Sequence, residues 1–130
     1  MLGKREPEVY GTATLDDVNG MLAQRSAALG FVLEAFQSNH EGALVDKIQG
    51  AAGTCSGVII NPAAFTHTSV AIKDALLLLD IPVIEVHISN VYKREPFRHV
   101  SKVSDVVTGK IVGLGTHGYK LALDALAEMV

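Results

Sequence analysis

The sequence predicts an α/β domain built on a parallel sheet, for two reasons. Short apolar runs alternate with helical stretches of about ten residues, which is the order found when helices connect parallel strands. In addition, Gly57-Val58-Ile59-Ile60 ends in an unbroken apolar run, typical of a parallel strand that is buried on both faces. A chain of 130 residues can form one domain with its own core, so we expect a single domain over residues 1–130.

The first half of the chain contains two predicted helices and two predicted strands. Thr14 is a good helix N-cap, and two aspartates follow it where the helix dipole favours anions. The apolar spacing then predicts a helix that ends near Gly30. The elements that follow are a strand over Phe31 to Phe36, a helix over about Gly42 to Ala51, and a strand over Gly57 to Ile60.

The second half is predicted to contain a helix over Ser69 to Leu79, strands over Pro82 to His87 and Gly109 to Leu114, and a helix over Tyr119 to Met129. Gly113 to Gly118 resembles a glycine-rich phosphate loop. It lacks the Lys-Ser/Thr ending and closes the sheet instead of opening it, so we interpret it as a tight turn between strand and helix. Parallel sheets of this kind bind ligands beyond the carboxyl ends of their strands, where most of the unusual polar residues of this sequence fall.

The composition excludes several classes of protein. With 48% hydrophobic and 19% charged residues, the chain is predicted to be folded. A net charge of −3 argues against a nucleic-acid partner, and no apolar run approaches the roughly 20 residues of a membrane span. No secretory leader is visible. The lone Cys55 excludes an internal disulfide and fits a reducing compartment, so we expect a cytoplasmic location.

The segment from Asn61 to Ser69 is a candidate binding loop, because it follows a predicted buried strand and precedes a predicted helix. Its Asn, Thr, His and Ser side chains, with the free N–H groups of a helix start, suit hydroxyl groups or an oxyanion. The alternative is a capped turn, in which Thr68 or Ser69 is the N-cap and His67 is simply solvated.

Glu85-Val86-His87 is a candidate acid–base pair, because alternation along a strand places Glu85 and His87 on the same face. A carboxylate beside an imidazole orients the ring and favours its protonated form, which suits a general acid. A purely structural pair remains open, since a buried glutamate needs a partner in any case. A metal site formed with His67 is a weaker alternative, because close-spaced His or Cys ligands are lacking.

Two further segments carry basic residues. Arg5 stands five residues ahead of Tyr10, and a cation beside a tyrosine favours the phenolate, so Tyr10 is a candidate general base. The loop from Lys93 to Lys102 is locally cationic, which suits a small anionic substrate because arginine binds carboxylates bidentately. An Arg–Glu network between subunits remains the alternative for Arg94.

In their order and spacing, these motifs resemble the type II 3-dehydroquinate dehydratases over essentially the whole chain. The matching segments are Arg5 to Gly11, Gln37 to Gly42, Asn61 to Ser69, Ile81 to His87 and Arg94 to His99. The resemblance implies a flavodoxin-like parallel sheet with helices on both faces. It also implies a hydro-lyase that converts 3-dehydroquinate to 3-dehydroshikimate through an enolate, with no metal or cofactor.

The resemblance further implies a role for each matching residue. Tyr10 would take a proton from the carbon beside the ketone, and Arg5 would keep it anionic. His87, held by Glu85, would protonate the departing hydroxyl. The residues implied in substrate binding are Asn61 at that hydroxyl, the backbone at Ile88 and Ser89 for the carboxylate, His67 and Arg98 at the ring hydroxyls, and Asp74 in a neighbouring subunit's site.

The family also implies an assembly and a moving segment. Trimers would pack into a homododecamer, and residues from about Lys4 to Thr12 would form a lid that closes over the substrate. Family members begin with an apolar strand ahead of the Leu-Gly that is here Leu2-Gly3, whereas this sequence has Met1, so we expect the sheet to lack its first strand. The alternative function is therefore a truncated, non-catalytic homologue that serves as an assembly subunit or a weak hydroxy-acid-binding module. The same reaction serves both aromatic-amino-acid synthesis and quinate breakdown, and both roles remain open.

Overall fold

The computed structural model describes residues 15–62, 69–88 and 104–130. Within these ranges lie four helices and three strands, in the predicted order except for the strand expected between the first two helices. The helices are α1 (Leu15–Ala28), α2 (Glu41–Ala51), α3 (Val70–Leu77) and α4 (His117–Met129). The strands are β1 (Val58–Ile60), β2 (Val83–His87) and β3 (Gly109–Val112).

The described strands form one parallel sheet in the order β1-β2-β3. Glu85 in the central strand pairs with Ile60 on one side and with Lys110 on the other. All five residues of β2 are buried. Because its neighbours are parallel to it, the carboxyl ends of the three strands meet at one edge of the sheet.

Helices cover both faces of this sheet, which gives the flavodoxin-like α/β fold. On one face, Val83 and Ile60 pack against Ile48 of α2 and Ile72 of α3. On the other face, side chains of β2 pack against α4, and the buried residues of this cluster are Ile84, Val86, Ala122 and Leu126. Helix α1 in turn packs on α4, and the buried residues of this second cluster are Val18, Leu22 and Leu123. Each helix therefore buries apolar side chains against the sheet or a neighbouring helix, and for α1 the buried Val18 and Leu22 belong to the apolar face predicted from spacing.

Local sequence signals set several of the element ends. Gly30 follows α1 with φ of 85°, a left-handed conformation that glycine adopts without steric cost. Ser69 is the N-cap of α3, and its side chain accepts a hydrogen bond from the Ile72 N–H at 3.0 Å. This confirms one of the two caps predicted for that helix. Thr14, the predicted cap of α1, lies outside the described residues.

The predicted strand over Phe31 to Phe36 is wrong, because this stretch forms no ladder with any strand that the structure describes. Val32 is 99% exposed, and only the side chain of Leu33 packs against the cluster between α1 and α4. Glu34 instead forms a surface ion pair with Lys47 of α2. Apolar alternation shows that a segment can line a core, but a strand also needs a hydrogen-bonding neighbour.

None of the described helices is long and apolar enough to cross a membrane.

Candidate active site

The candidate site lies at the edge of the sheet where the described strands end. His87 is the last residue of β2, Asn61 follows β1 directly, and a turn over Gly113 to Thr116 follows β3. Three neighbouring strands thus deliver polar groups and backbone amides to one place, as the sequence predicts.

The central feature of this edge is a hydrogen-bonded pair between His87 and Glu85. His87 Nε2 is bonded to Glu85 Oε2, which confirms that the two side chains share a face of the strand. Glu85 is fully buried and His87 is only 5% exposed. A carboxylate in this position fixes the orientation of the imidazole ring. It also fixes which ring nitrogen makes the hydrogen bond to the carboxylate.

The second carboxylate oxygen of Glu85 is bonded by groups that the sequence analysis did not identify. Ser104 Oγ donates to Glu85 Oε1 at 2.8 Å, and Lys110 Nζ donates to the same Ser104 oxygen at 2.9 Å. Ser104 precedes β3 in an irregular stretch, where nothing in the local pattern marks it. Lys110 could have been found only from the register, because it is the β3 residue that pairs with Glu85.

These contacts decide the ionisation of Glu85. Burial alone would raise the pKa of its carboxyl, because the charged form loses water. The hydrogen bonds from His87 and Ser104, together with the positive charges of His87 and Lys110, act the other way and prevail. The pKa of Glu85 is therefore lowered from its ordinary value, and the buried carboxyl is held as a carboxylate.

The glycine turn after β3 binds the end of β2 through its backbone. The Gly113 N–H donates to the His87 carbonyl at 3.0 Å, and the Gly115 N–H donates to the Ile88 carbonyl at 2.9 Å. Both glycines have positive φ, 85° and 61°, which confirms the predicted tight turn between strand and helix. The main chain at the site is thus fixed by hydrogen bonds from the neighbouring strand's turn.

Asn61 is held by a residue of the last helix. Its Nδ2 donates to the hydroxyl of Tyr119 at 2.9 Å, although the two residues are 58 positions apart in the chain. The Tyr119 ring packs against the apolar clusters beneath α4. This contact sets which way the amide faces, so Tyr119 is a further part of the site that the sequence analysis missed.

The other predicted site residues are placed differently. Ile88 is buried directly after β2, while Asp74 is exposed in the middle of α3. Five of the predicted residues lie outside the described residues: Arg5, Tyr10, His67, Ser89 and Arg98. The predicted lid and the basic loop around Arg94 also lie outside them.

The described ranges contain no group of three or more His, Cys, Asp or Glu side chains arranged to hold a metal ion. The metal alternative drawn from the sequence includes His67, which lies outside those ranges. Among the described residues, Glu85 makes hydrogen bonds with His87 and Ser104 and interacts with the positive charge of Lys110.

A parallel sheet whose central strand ends in a buried carboxylate–imidazole pair, next to an oriented amide, defines an α/β protein equipped for acid–base chemistry on a small polar molecule. The sequence comparison narrows this class. The profile of the family described as "Dehydroquinase class II" matches residues 1–127, and the chain belongs to that family.

Proteins similar to this chain carry matching names. It is 56% identical to the "3-dehydroquinate dehydratase" of Roseiflexus castenholzii over 97% of this chain and 80% of the relative. It is 60% identical to the "Catabolic 3-dehydroquinase" of Penicillium rubens over 95% of this chain and 80% of the relative. The crystal structure of the type II dehydroquinase from Propionibacterium acnes matches with a TM-score of 0.94 at 50% identity, covering 98% of this chain and 88% of that one.

Proposed function

We propose that this chain is a 3-dehydroquinate dehydratase, which eliminates water from 3-dehydroquinate to give 3-dehydroshikimate. The observation that carries the proposal is the Glu85–His87 pair at the end of the central strand, in a chain that belongs to the class II dehydroquinase family. Relatives at 56–60% identity are named for this activity, which favours a working enzyme over a non-catalytic assembly subunit.

In this proposal His87 is the general acid for the leaving hydroxyl. Glu85 engages Nε2, so Nδ1 is the ring nitrogen that would give a proton to the substrate. Hydroxide is a poor leaving group, and protonation as the C–O bond breaks turns it into water. The Glu85 carboxylate opposes the positive charge of the imidazolium and keeps the ring aligned for this transfer.

The proton-abstraction half of the reaction is assigned to Tyr10, with Arg5 keeping the phenolate charged. The support for this assignment is the spacing of the two residues and the family membership. Tyr10 would remove a proton from the carbon beside the ketone to form an enolate, which then expels the hydroxyl protonated by His87. We propose that residues 4–12 close over the substrate to bring both groups to it.

We propose that the substrate is held by residues both inside and outside the part of the chain that the structure describes. Asn61, oriented by Tyr119, supports binding of the departing hydroxyl, because its amide faces a fixed direction. Ile88 lies where the main chain is fixed by the turn after β3, which suits a backbone site for the carboxylate. We propose that the backbone at Ser89 also binds the carboxylate, and that His67 and Arg98 bind the ring hydroxyls.

We propose that copies of this chain assemble as trimers packed into a dodecamer, with Asp74 reaching the site of a neighbour. Apolar side chains support this, because Val70, Leu77 and Leu78 of the α3 region are 57%, 62% and 78% exposed beside the exposed Asp74. Apolar surface of this kind is usually covered by a partner. Light scattering that shows a fully active monomer would contradict this assembly.

The test of the function is a direct assay of the purified chain. Elimination produces a conjugated enone, so ultraviolet absorbance should rise when 3-dehydroquinate is added. His87→Ala should lower kcat by ~10²–10⁴-fold, the range for a positioned general acid. The matched control is His40→Ala. His40 is an exposed histidine at the N-cap position of α2, and its side chain makes no capping hydrogen bond.

The control should retain the wild-type rate. A wild-type chain that binds 3-dehydroquinate without turning it over would support the non-catalytic alternative. Wild-type activity that survives His87→Ala would remove His87 from the reaction while leaving the dehydratase activity in place.

A further inference from the structure

Lys110 is connected to the Glu85–His87 pair by an unbroken series of hydrogen bonds. Lys110 and Glu85 are register partners in the parallel ladder, so their side chains leave the sheet on the same face. The Lys110 ammonium donates to Ser104 Oγ at 2.9 Å, and that hydroxyl donates to Glu85 Oε1 at 2.8 Å. The other oxygen of the same carboxylate receives His87. One hydroxyl thus links the lysine to the carboxylate that aligns the ring.

The segment that carries Ser104 is attached to the fold at several points. Asp105 forms an ion pair with Lys73 of α3 at 2.9 Å. Thr108 bonds Val83 twice, since its N–H donates to the Val83 carbonyl at 2.8 Å and its hydroxyl accepts from the Val83 N–H at 2.9 Å. The stretch that directly follows Ser104 is therefore tied to α3 through Asp105 and to β2 through Thr108.

The charged groups around Glu85 can be named for each described element that packs against it. On β2 the group is His87, and on β3 it is Lys110. On β1 the register partner is the apolar Ile60. The hydrophobic cluster on this face contains the α2 and α3 side chains of Ile48, Ile72, Ala75 and Leu76. On α3, the Lys73 ammonium is directed to Asp105, whose pKa is lowered by that hydrogen bond.

We propose that Lys110 and Ser104 are positioning residues of this site: the lysine fixes the serine hydroxyl, and the hydroxyl fixes the Glu85 carboxylate in the orientation that aligns His87. Neither residue touches the substrate in this proposal. The inference rests on the proposed function, because it assigns the two residues to the acid step of that same reaction.

The proposal has a consequence for the pH dependence of the reaction. A positive charge near a titrating group disfavours its protonated form, so removing Lys110 favours protonation of the groups around it. In the bell-shaped profile of kcat/KM, the limb that reports the general acid of this site should then move to higher pH. A lysine that only stabilises the sheet would lower the height of the profile, or the amount of folded protein, without moving its limbs.

The experiment measures kcat/KM against pH for the purified wild-type chain and for Lys110→Met. The methionine keeps the length of the side chain and removes its charge. We expect the limb of the general acid to move up by about 0.5 to 1 pH unit, since the lysine is partly exposed and its charge is partly screened. Lys110→Arg keeps the charge and should restore the wild-type limbs. Ser104→Ala keeps the charge but removes the bridge, so it should lower kcat several-fold with smaller movement of the limbs.

The matched control is Lys120→Met, which removes the same charge from α4 on the opposite face of the sheet. Its profile should coincide with that of the wild type. If Lys110→Met does not fold, Lys110→Gln is measured instead. A superimposable profile for the Lys110 variant, or an equal shift in Lys110→Arg, would overturn the positioning role while leaving dehydratase activity intact. A wild-type chain without turnover would overturn the proposed function itself. In that case acid unfolding of the same variants tests the contact. As the pH is lowered, Lys110→Met should begin to lose stability at a higher pH than the wild type does.

Discussion

Two short segments of this chain have similar sequences and opposite environments. Phe31-Val32-Leu33-Glu34-Ala35-Phe36 and Val83-Ile84-Glu85-Val86-His87 each contain one glutamate in a mainly apolar run. The first is a predicted strand, and the second lies within the strand predicted over Pro82 to His87. The second is the buried central strand, and Glu85 is fully buried in it. The first forms no ladder with a described strand, and Val32 is 99% exposed.

The difference lies in the partners of each segment. β2 has a parallel strand on each side, which satisfies its backbone and removes its side chains from water. Its glutamate can stay charged because His87 and Ser104 bond both carboxylate oxygens. Glu34 makes an ion pair with Lys47, but the Glu34 side chain is 66% exposed and remains in contact with water. Burial turns the same residue type from a surface group into part of a site.

The largest expected difference between the two segments is in catalysis. Glu85→Gln should lower kcat by ~10²-fold or more, because a neutral amide no longer opposes the imidazolium charge or fixes the ring. Glu34→Gln should leave kcat unchanged. Steady-state kinetics on both variants measure the contrast, and equal rates for the two would show that the buried carboxylate has no part in turnover.

A second difference should appear in stability. Val86 is fully buried between the sheet and α4, so Val86→Ala should lower the free energy of unfolding by about 2 kcal/mol through lost burial and the cavity left behind. Val32→Ala, at a 99% exposed position, should change it by less than about 0.5 kcal/mol. Urea unfolding followed by circular dichroism provides both values. A comparable loss at Val32 would mean that the first segment is covered in solution.

The smallest expected difference concerns acid. The pKa of Glu85 is lowered in the folded protein from an ordinary value of 4.5, so its ionisation stabilises the fold above that pH. This contribution is lost as the pH falls below about 4.5 and through the lowered pKa. Unfolding free energies measured across this range should therefore decline less steeply in Glu85→Gln than in the wild type, whereas Glu34→Gln should follow the wild type. Parallel curves for all three chains would contradict the assignment.

Local signals predicted much of the fold and part of the site. Alternation placed Glu85 and His87 together, the polar start of α3 predicted a cap at Thr68 or Ser69, of which Ser69 is the one observed, and the glycines after β3 predicted the turn. Each of these features depends on residues a few positions apart. The strand predicted over residues 31–36 failed because a ladder depends on a neighbour that local sequence does not name.

The missing parts of the site have the same origin. Ser104 and Lys110 reach Glu85 from 19 and 25 positions along the chain, and the lysine arrives there only through the register of β2 with β3. Tyr119 meets Asn61 across 58 positions. Sequence spacing predicts which residues share a face, but strand register and helix docking decide which faces meet.

The turn after β3 has a consequence for how the chain can vary. The main-chain N–H groups of this turn hold the carbonyl groups of His87 and Ile88. Every residue except proline possesses such an N–H group. Only Gly113 and Gly115 are constrained there by their conformation. The side chain of Leu114 between them is 53% exposed and takes no part in those bonds. Substitutions at Leu114 should therefore be tolerated freely, so a library that varies the rim of the site at this position can change the surface offered to ligands while the acid's backbone stays in place.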